Sequence, residues 1–310
     1  MDTMKKETGF QPKWINEAPK KGSYRSIFKY GDPLGFKHPN KMLFQELKEK
    51  FKLSDKDFAQ KESTGNEAVD IKIESKLSIA QIDHFIGICA KENVSSKEYD
   101  RLQFSTGKTV EEAMKLRRKE IELISDLVVH PRNKAEVSEI VKYCDQQKIP
   151  IYVYGGGSSV NFGFYPEKGG ITLVLSTHLN KIVKLNELNQ TVTVEAGMMG
   201  PAFEKALNNA PKLFESKHPF TCGHFPQSFE YSSVGGWFLT LGSGQQSSYY
   251  GDAGDLVLGV EMISPSGDII TKDYPATATG PKVLDIIKGS EGIFGIVVEL
   301  TWKIFRYQPE

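Results

Sequence analysis

A chain of 310 residues exceeds the usual size of a single hydrophobic core, so two packed units are expected. Lysine plus arginine equal aspartate plus glutamate at 39 each, which removes any global electrostatic argument for nucleic acid or an anionic membrane. Hydrophobic residues at 39% and charged residues at 25% build a buried core easily and exclude a disordered composition.

Cys89, Cys144 and Cys222 are widely spaced and form no CxxC pair, so neither a disulfide framework nor a metal site is expected. The N-terminus MDTMKKETGFQPKW lacks the apolar core of a signal peptide, and no window approaches the roughly 18 apolar residues of a membrane span. The tail IFRYQPE carries no SKL address. A reducing, cytoplasmic location is the expectation.

From residue 1 to 120 the chain is polar and rich in lysine, with apolar spacing that predicts three helices. They lie in NKMLFQELKEKF, SIAQIDHFIGICA and TVEEAMKLRRKEIELI. Between the first two, DKDFAQKESTGNEAVDIKIESK reads as a surface loop leading into a short strand. Beyond residue 120 the texture changes. DLVVH reads as a strand, and NKAEVSEIVKYCDQQK as a helix with Asn133 as N-cap and Glu136 in capping-box position. The strands IPIYVY, ITLVLST, IVKL and TVTVEAG follow, the last two joined by a tight turn at NELNQ. GPAFEKALNNA is a helix with Pro201 in its first turn. LVLGVEMIS and GDIIT form a hairpin through PSG, and a helix PKVLDIIKG precedes the long strand FGIVVELTWKIF. Short, numerous strands with hairpins among strand–helix units predict an α+β fold with two small mixed sheets.

Three glycine-rich stretches stand at strand ends. IPIYVYGGGSSVNFG places Gly155, Gly156 and Gly157 after a strand, but the following Asn, Gly and Pro cannot continue a helix, which excludes a Rossmann turn. A concave nest of peptide N–H groups around a pyrophosphate is one reading; a flexible turn between strands is an equal one. In TCGHFPQSFEYSSVGGWFLTLGSGQQSSYYGD, the part SSVGGWFLTL reads as a helix start with free N–H groups turned toward a phosphate or carbonyl. The alternative is a helix packed through its glycines against a sheet. GSEGIFGIV, with Gly289 capping the preceding helix, reads in isolation as a connector.

GGGSSV, GHFPQSFEYSSVGGW, YYGD, GPKVLDIIKGSEGIFGIV and ELTWKI resemble, in order and spacing, the FAD-binding half of the vanillyl-alcohol-oxidase-type (PCMH-type) FAD-linked oxidases. Within these the motifs look most similar to alkylglycerone-phosphate synthases and their bacterial relatives. The resemblance implies a helical N-terminal segment over 1–120 and an FAD-binding domain over 121–310 with subdomains at about 121–180 and 181–310. It implies a noncovalent FAD, with Val153, Tyr154, Gly155, Gly156, Gly157, Ser158 and Ser159 around the pyrophosphate. Gln227, Ser228, Ser232, Ser233, Gly235, Gly236, Thr240, Gly242 and Ser243 would line the flavin and its ribityl chain. Glu291, Gly292, Ile293, Gly295, Ile296 and Val297 would complete the site.

Departures accompany the likeness. The family often carries an acidic residue where Gln227 stands and an arginine near Leu241, and some members attach FAD through a histidine in the glycine loop where this chain has Ser158 and Ser159. The family's C-terminal cap domain is expected to lie outside these 310 residues, so that the chain is either a fragment or unable to carry out the full chemistry alone. The implied activity is acyl-for-alkyl exchange on acyl-dihydroxyacetone phosphate, with a lipid-like substrate and no net redox change. The alternatives are oxidation of a 2-hydroxy acid such as lactate or glycolate, and a flavin-binding module that needs a partner or cap. The likeness leaves room for a homodimer and for peripheral membrane contact through further chain. No catalytic side chain is assigned. His224 is the histidine nearest such a site, yet histidines in glycine-rich loops more often only bond backbone. Tyr249 and Tyr250 read as packing residues, Cys222 as an inert buried thiol, and Arg117 or Arg118 as solvated cations open to an anionic substrate.

Overall fold

The computed structural model describes residues 18–27, 40–58, 63–274 and 277–308. Two compact units emerge: residues 1–71 with 110–122, and residues 72–109 with 123–310. The division departs from the expected boundary at 120, because residues 72–109 carry the helices Ile79–Cys89 and Glu98–Gln103 and strand β1 (Val94–Ser95), which belong to the larger unit.

The smaller unit contains the helices Tyr24–Ile27, Lys41–Phe51, Asp55–Phe58 and Val110–Arg118. Lys41–Phe51 starts where expected, because the Asn40 side chain accepts from the Leu43 N–H. Val110–Arg118 ends short of the expected span, at a left-handed Lys119 with φ of 61°. The strand expected near residues 70–74 does not form; residues 71–77 are irregular.

In the larger unit, β2 (Leu127–Val129), β3 (Ile151–Tyr154) and β4 (Ile171–Val174) are parallel, and β1 adds antiparallel to β2, giving the order β1-β2-β4-β3. The second sheet is antiparallel throughout: β5 (Ile182–Asn186), β6 (Thr191–Glu195), β8 (Val257–Ile263), β9 (Ile269–Ile270) and β10 (Ile296–Lys303), ordered β5-β6-β10-β8-β9. Two mixed sheets were expected; every pairing in the second is antiparallel, so only the first is mixed. β7 (Phe220–Thr221) and β11 (Phe305–Arg306) form a separate ribbon.

The helix Lys134–Gln147 packs against β8 and the helix Ile79–Cys89, burying Val137, Ile140, Val141 and Cys144 in a core that runs through both sheets. Its N-cap Asn133 accepts from Glu136 N–H at 3.0 Å. The Glu136 carboxylate does not close the expected capping box; it takes the main-chain N–H and the guanidinium of Arg132, both at 2.7 Å. Parallel β2, β4 and β3 all point their C-terminal ends one way, and the first glycine stretch leaves from the end of β3. Ligand sites of parallel strands form at such ends.

Candidate functional site

Leaving β3, the chain runs through Gly155–Ser159 without returning to a sheet or starting a helix. Among the described residues, none of the peptide N–H groups of Gly155, Gly156, Gly157, Ser158 and Ser159 donates a hydrogen bond within the protein. Five successive unspent donors are the inventory of an anion-binding nest. Gly157 sits at φ of 68°, which a glycine adopts without strain. Gly155 and Gly156 serve a different purpose: a Cβ on Gly155 would collide with the Ser233 hydroxyl, and one on Gly156 with the Tyr231 carbonyl. What the glycines admit at these two positions is a second loop of the same chain.

That second loop leads into the helix Val234–Leu239, where the expectation of a helix start holds and that of free N–H groups does not. Val234 N–H donates to Met198 O at 2.9 Å, Gly235 N–H to Ala196 O at 2.9 Å, and Gly236 N–H to the N-cap hydroxyl of Ser233 at 3.3 Å. The helix docks end-on against the residues that follow β6, with no Cβ at Gly235 to obstruct Ala196. Its first donors are consumed by backbone, so this helix terminus has little left for an anion. The alternative reading, a glycine-packed helix against a sheet, is the one that applies.

The third stretch closes the other end of that helix. Gly289 N–H donates to Phe238 O at 3.2 Å and Glu291 N–H to Leu239 O at 3.0 Å, satisfying carbonyls at the helix C-terminus. Gly289, at φ of 70°, follows the helix Val283–Ile287 as expected of a terminating glycine, though its N–H serves the neighbouring helix. Gly295 approaches the carbonyl of Ile263 so closely that a Cβ would lie 2.6 Å from it.

The three stretches enclose a cavity of about 290 Å³. Val153, Gly155, Gly156, Gly157, Ser158, Ser159, Ser228, Ser232, Ser233, Gly235, Gly236, Thr240, Gly242, Glu291, Gly292, Gly295, Ile296 and Val297 line it. Four of the expected residues do not. Tyr154 ends β3 buried under the loop, its ring against Phe104 and Phe164. Gln227 and Ser243 are exposed, and Ile293 projects outward at 79% exposure on the tip between Gly292 and Gly295. The expectations omitted Val160, Asn161, Gly163, Phe164, Leu175, Ala196, Pro226, Trp237 and Leu239. Leu175 and Ala196 directly follow β4 and β6, so proximity to strand ends was the available signal for them.

Glu291 is the one ionisable side chain in that lining, and its backbone is left-handed at φ of 55°. Negative charge on a ligand would therefore be met by peptide dipoles. Ser158 and Ser228 offer hydroxyls with no partner among the described residues. Leu175, Trp237, Leu239, Ile296 and Val297 give the walls their apolar character. His224 stands outside the lining. It is fully buried against Trp237 and Trp302, neither ring nitrogen has a partner in the described structure, and burial lowers its pKa to about 4. Its Nε2 lies behind Gly242, 3.3 Å from where a Cβ would stand. Cys222 is fully buried as well, and burial raises its thiol pKa well above the usual range.

Residues 125–273 match the family described as FAD binding domain. The chain is 35% identical over 220 residues to an alkyldihydroxyacetonephosphate synthase of Caenorhabditis elegans, covering 69% of this chain and 35% of that protein. It is 30% identical over 207 residues to the Dictyostelium discoideum synthase, covering 66% and 32%. A glycolate oxidase subunit GlcD of Bacillus subtilis is 29% identical over 224 residues, covering 72% and 44%. A solved alkyldihydroxyacetonephosphate synthase superimposes with a TM-score of 0.72 at 24% identity, over 80% of this chain and 44% of that one. The chain thus spans about a third of the length of the synthases it matches.

Proposed function

We propose that the chain, whose residues 125–273 match an FAD binding domain and which is similar to alkyldihydroxyacetonephosphate synthases, is an FAD-binding flavoprotein whose cavity holds FAD noncovalently. The whole protein then exchanges an acyl for an alkyl group on acyl-dihydroxyacetone phosphate, a step of ether-lipid synthesis. The observation that carries the cofactor reading is the run of five N–H groups from Gly155 to Ser159, unspent among the described residues, in the lining of a cavity with apolar walls and no cationic side chain. A long cofactor with one doubly charged segment and two aromatic ends suits that division.

In this reading the Gly155–Ser159 amides hold the pyrophosphate, and the Ser158 and Ser228 hydroxyls donate to polar oxygens of the cofactor. Trp237, Leu239 and Ile296 exclude water, which strengthens every dipole aimed at the charge. Noncovalent attachment rests on Ser158 and Ser159 occupying the glycine loop. Bound there, FAD would supply the isoalloxazine on which the exchange depends. The subdomain division at 180, a cytoplasmic location and a homodimer belong to the same reading; among the described residues no helix is long and apolar enough to cross a membrane.

The cofactor reading is tested by the visible spectrum of the purified chain titrated with FAD, where a flavin band that stays with the protein through gel filtration is expected. A protein that remains colourless sinks it. The activity is tested on the full natural protein by exchange of labelled long-chain alcohol into acyl-dihydroxyacetone phosphate. Anaerobic bleaching by D-lactate or glycolate, without exchange, would favour the oxidoreductase reading suggested by the relatives named glycolate oxidase and D-lactate dehydrogenase.

A further inference from the structure

The glycine loop packs against the Tyr231–Ser233 segment but makes few hydrogen bonds to the rest of the unit. Within the loop, Ser159 Oγ donates to Asn161 Oδ1 at 2.7 Å and accepts from Gly163 N–H at 3.1 Å. From Gly155 to Phe164, two hydrogen bonds among the described residues lead out of the loop: Tyr165 N–H donates to Phe162 O at 3.2 Å in a local turn, and the main-chain N–H of Lys108, remote in sequence, donates to Ser159 O at 2.6 Å. We infer that Lys108, through this main-chain N–H, is a positioning residue for the cofactor loop; the inference rests on the FAD reading above.

Three consecutive glycines give the loop more conformations than any other residue type would, and a nest binds an anion well only if its N–H groups already converge. Fixing one carbonyl restricts that freedom where it matters. In a planar trans peptide the N–H of Val160 points opposite to the Ser159 carbonyl, so holding the carbonyl on Lys108 sets the peptide at the end of the nest. Lys108 is itself firmly held. It is buried, as are Ser105 and Thr106 just before it. Thr106 Oγ1 donates to Leu102 O at 2.8 Å, and Ser105 Oγ accepts from Ser125 N–H at 2.9 Å, two residues ahead of β2. The loop leaving β3 is thereby referenced to β2 through a strap that is remote from it in sequence.

The role belongs to the donor rather than to the lysine side chain, and two substitutions separate them. Lys108→Ala keeps the N–H and should bind FAD within twofold of the unmodified protein in a fluorescence titration. Lys108→Pro removes the N–H and should weaken FAD by about tenfold, with the melting temperature of the cofactor-free protein unchanged. Equal affinities for the two variants overturn the inference. Should Lys108→Pro fail to fold, amide exchange at Lys108 in the unmodified protein decides: exchange should slow at least tenfold on adding FAD, and an unchanged rate overturns it. If the unmodified protein takes up no FAD, the cofactor reading has failed by itself. Anchoring is then read from the backbone order of Gly155–Gly157 in the two cofactor-free variants, which must be lower for Lys108→Pro; equal order refutes it.

Discussion

Gly156 has no room for a side chain, since a methyl group there would press on the Tyr231 carbonyl, which is backbone and cannot swing away. Gly156→Ala is expected to destabilise the fold by about 1–3 kcal/mol and to weaken FAD more than tenfold, read by thermal melting and fluorescence titration. Near-normal values for both would mean that the two loops are not in contact. His224 makes a prediction about pH. Its folded pKa of about 4 lies below the ordinary histidine value, so the unfolded chain takes the proton more readily than the folded one. The neutral-histidine contribution is therefore complete above about pH 6.5 and is lost as pH falls toward 4, a loss of about 3 kcal/mol at most. Denaturant melts of the unmodified protein and of His224→Phe should diverge over that window, with the variant less sensitive to acid; parallel curves would disprove the assignment. Sequence reasoning singled out His224 for its place in a glycine-rich stretch. That it faces two tryptophans rather than the cavity depended on contacts with Trp237 and Trp302, 13 and 78 positions away in the chain.

At the scale of elements, the helix Lys134–Gln147 is tied to the antiparallel sheet by charge as well as by its apolar face. Glu261 and Glu299 stand opposite each other on β8 and β10, a pairing of like charges that opposes the sheet. Lys134 Nζ lies 2.8 Å from one and 3.0 Å from the other. Lys134→Ala should cost about 1 kcal/mol, modest because the lysine is 40% exposed and solvent screens it, and the cost should shrink in high salt. A loss independent of salt would assign the effect to packing instead. Periodicity and caps made most elements legible. Asn133 starts its helix as expected, and the turn at NELNQ joins β5 to β6. The failures share a cause. The DIKIES segment has strand composition but pairs with no strand among the described residues, and Glu136 found an arginine beside the cap that competes with the cap itself. In each case the outcome turned on what stood nearby in space.

For the whole molecule, a ligand that binds only the folded state raises stability by mass action. FAD at 100 times its dissociation constant should add about 2.7 kcal/mol, a rise of several degrees in melting temperature that AMP alone should reproduce only in part. No rise at saturating FAD would count against the cavity as its site. That a strand ends in GGGSS and cannot enter a helix follows from the residues alone, because Asn161, Gly163 and Pro166 come next; this property already separated the loop from a Rossmann turn. The residues alone also set the order of the three glycine stretches, on which the family likeness rests. Only the tertiary structure decided which donors in those stretches remain free. Among the described residues the Gly155–Ser159 amides donate to no acceptor, whereas the equally promising amides of Val234, Gly235 and Gly236 are consumed by Met198, Ala196 and Ser233. A peptide N–H looks the same in any sequence; whether it is available for a ligand depends on the carbonyl that folding brings to it.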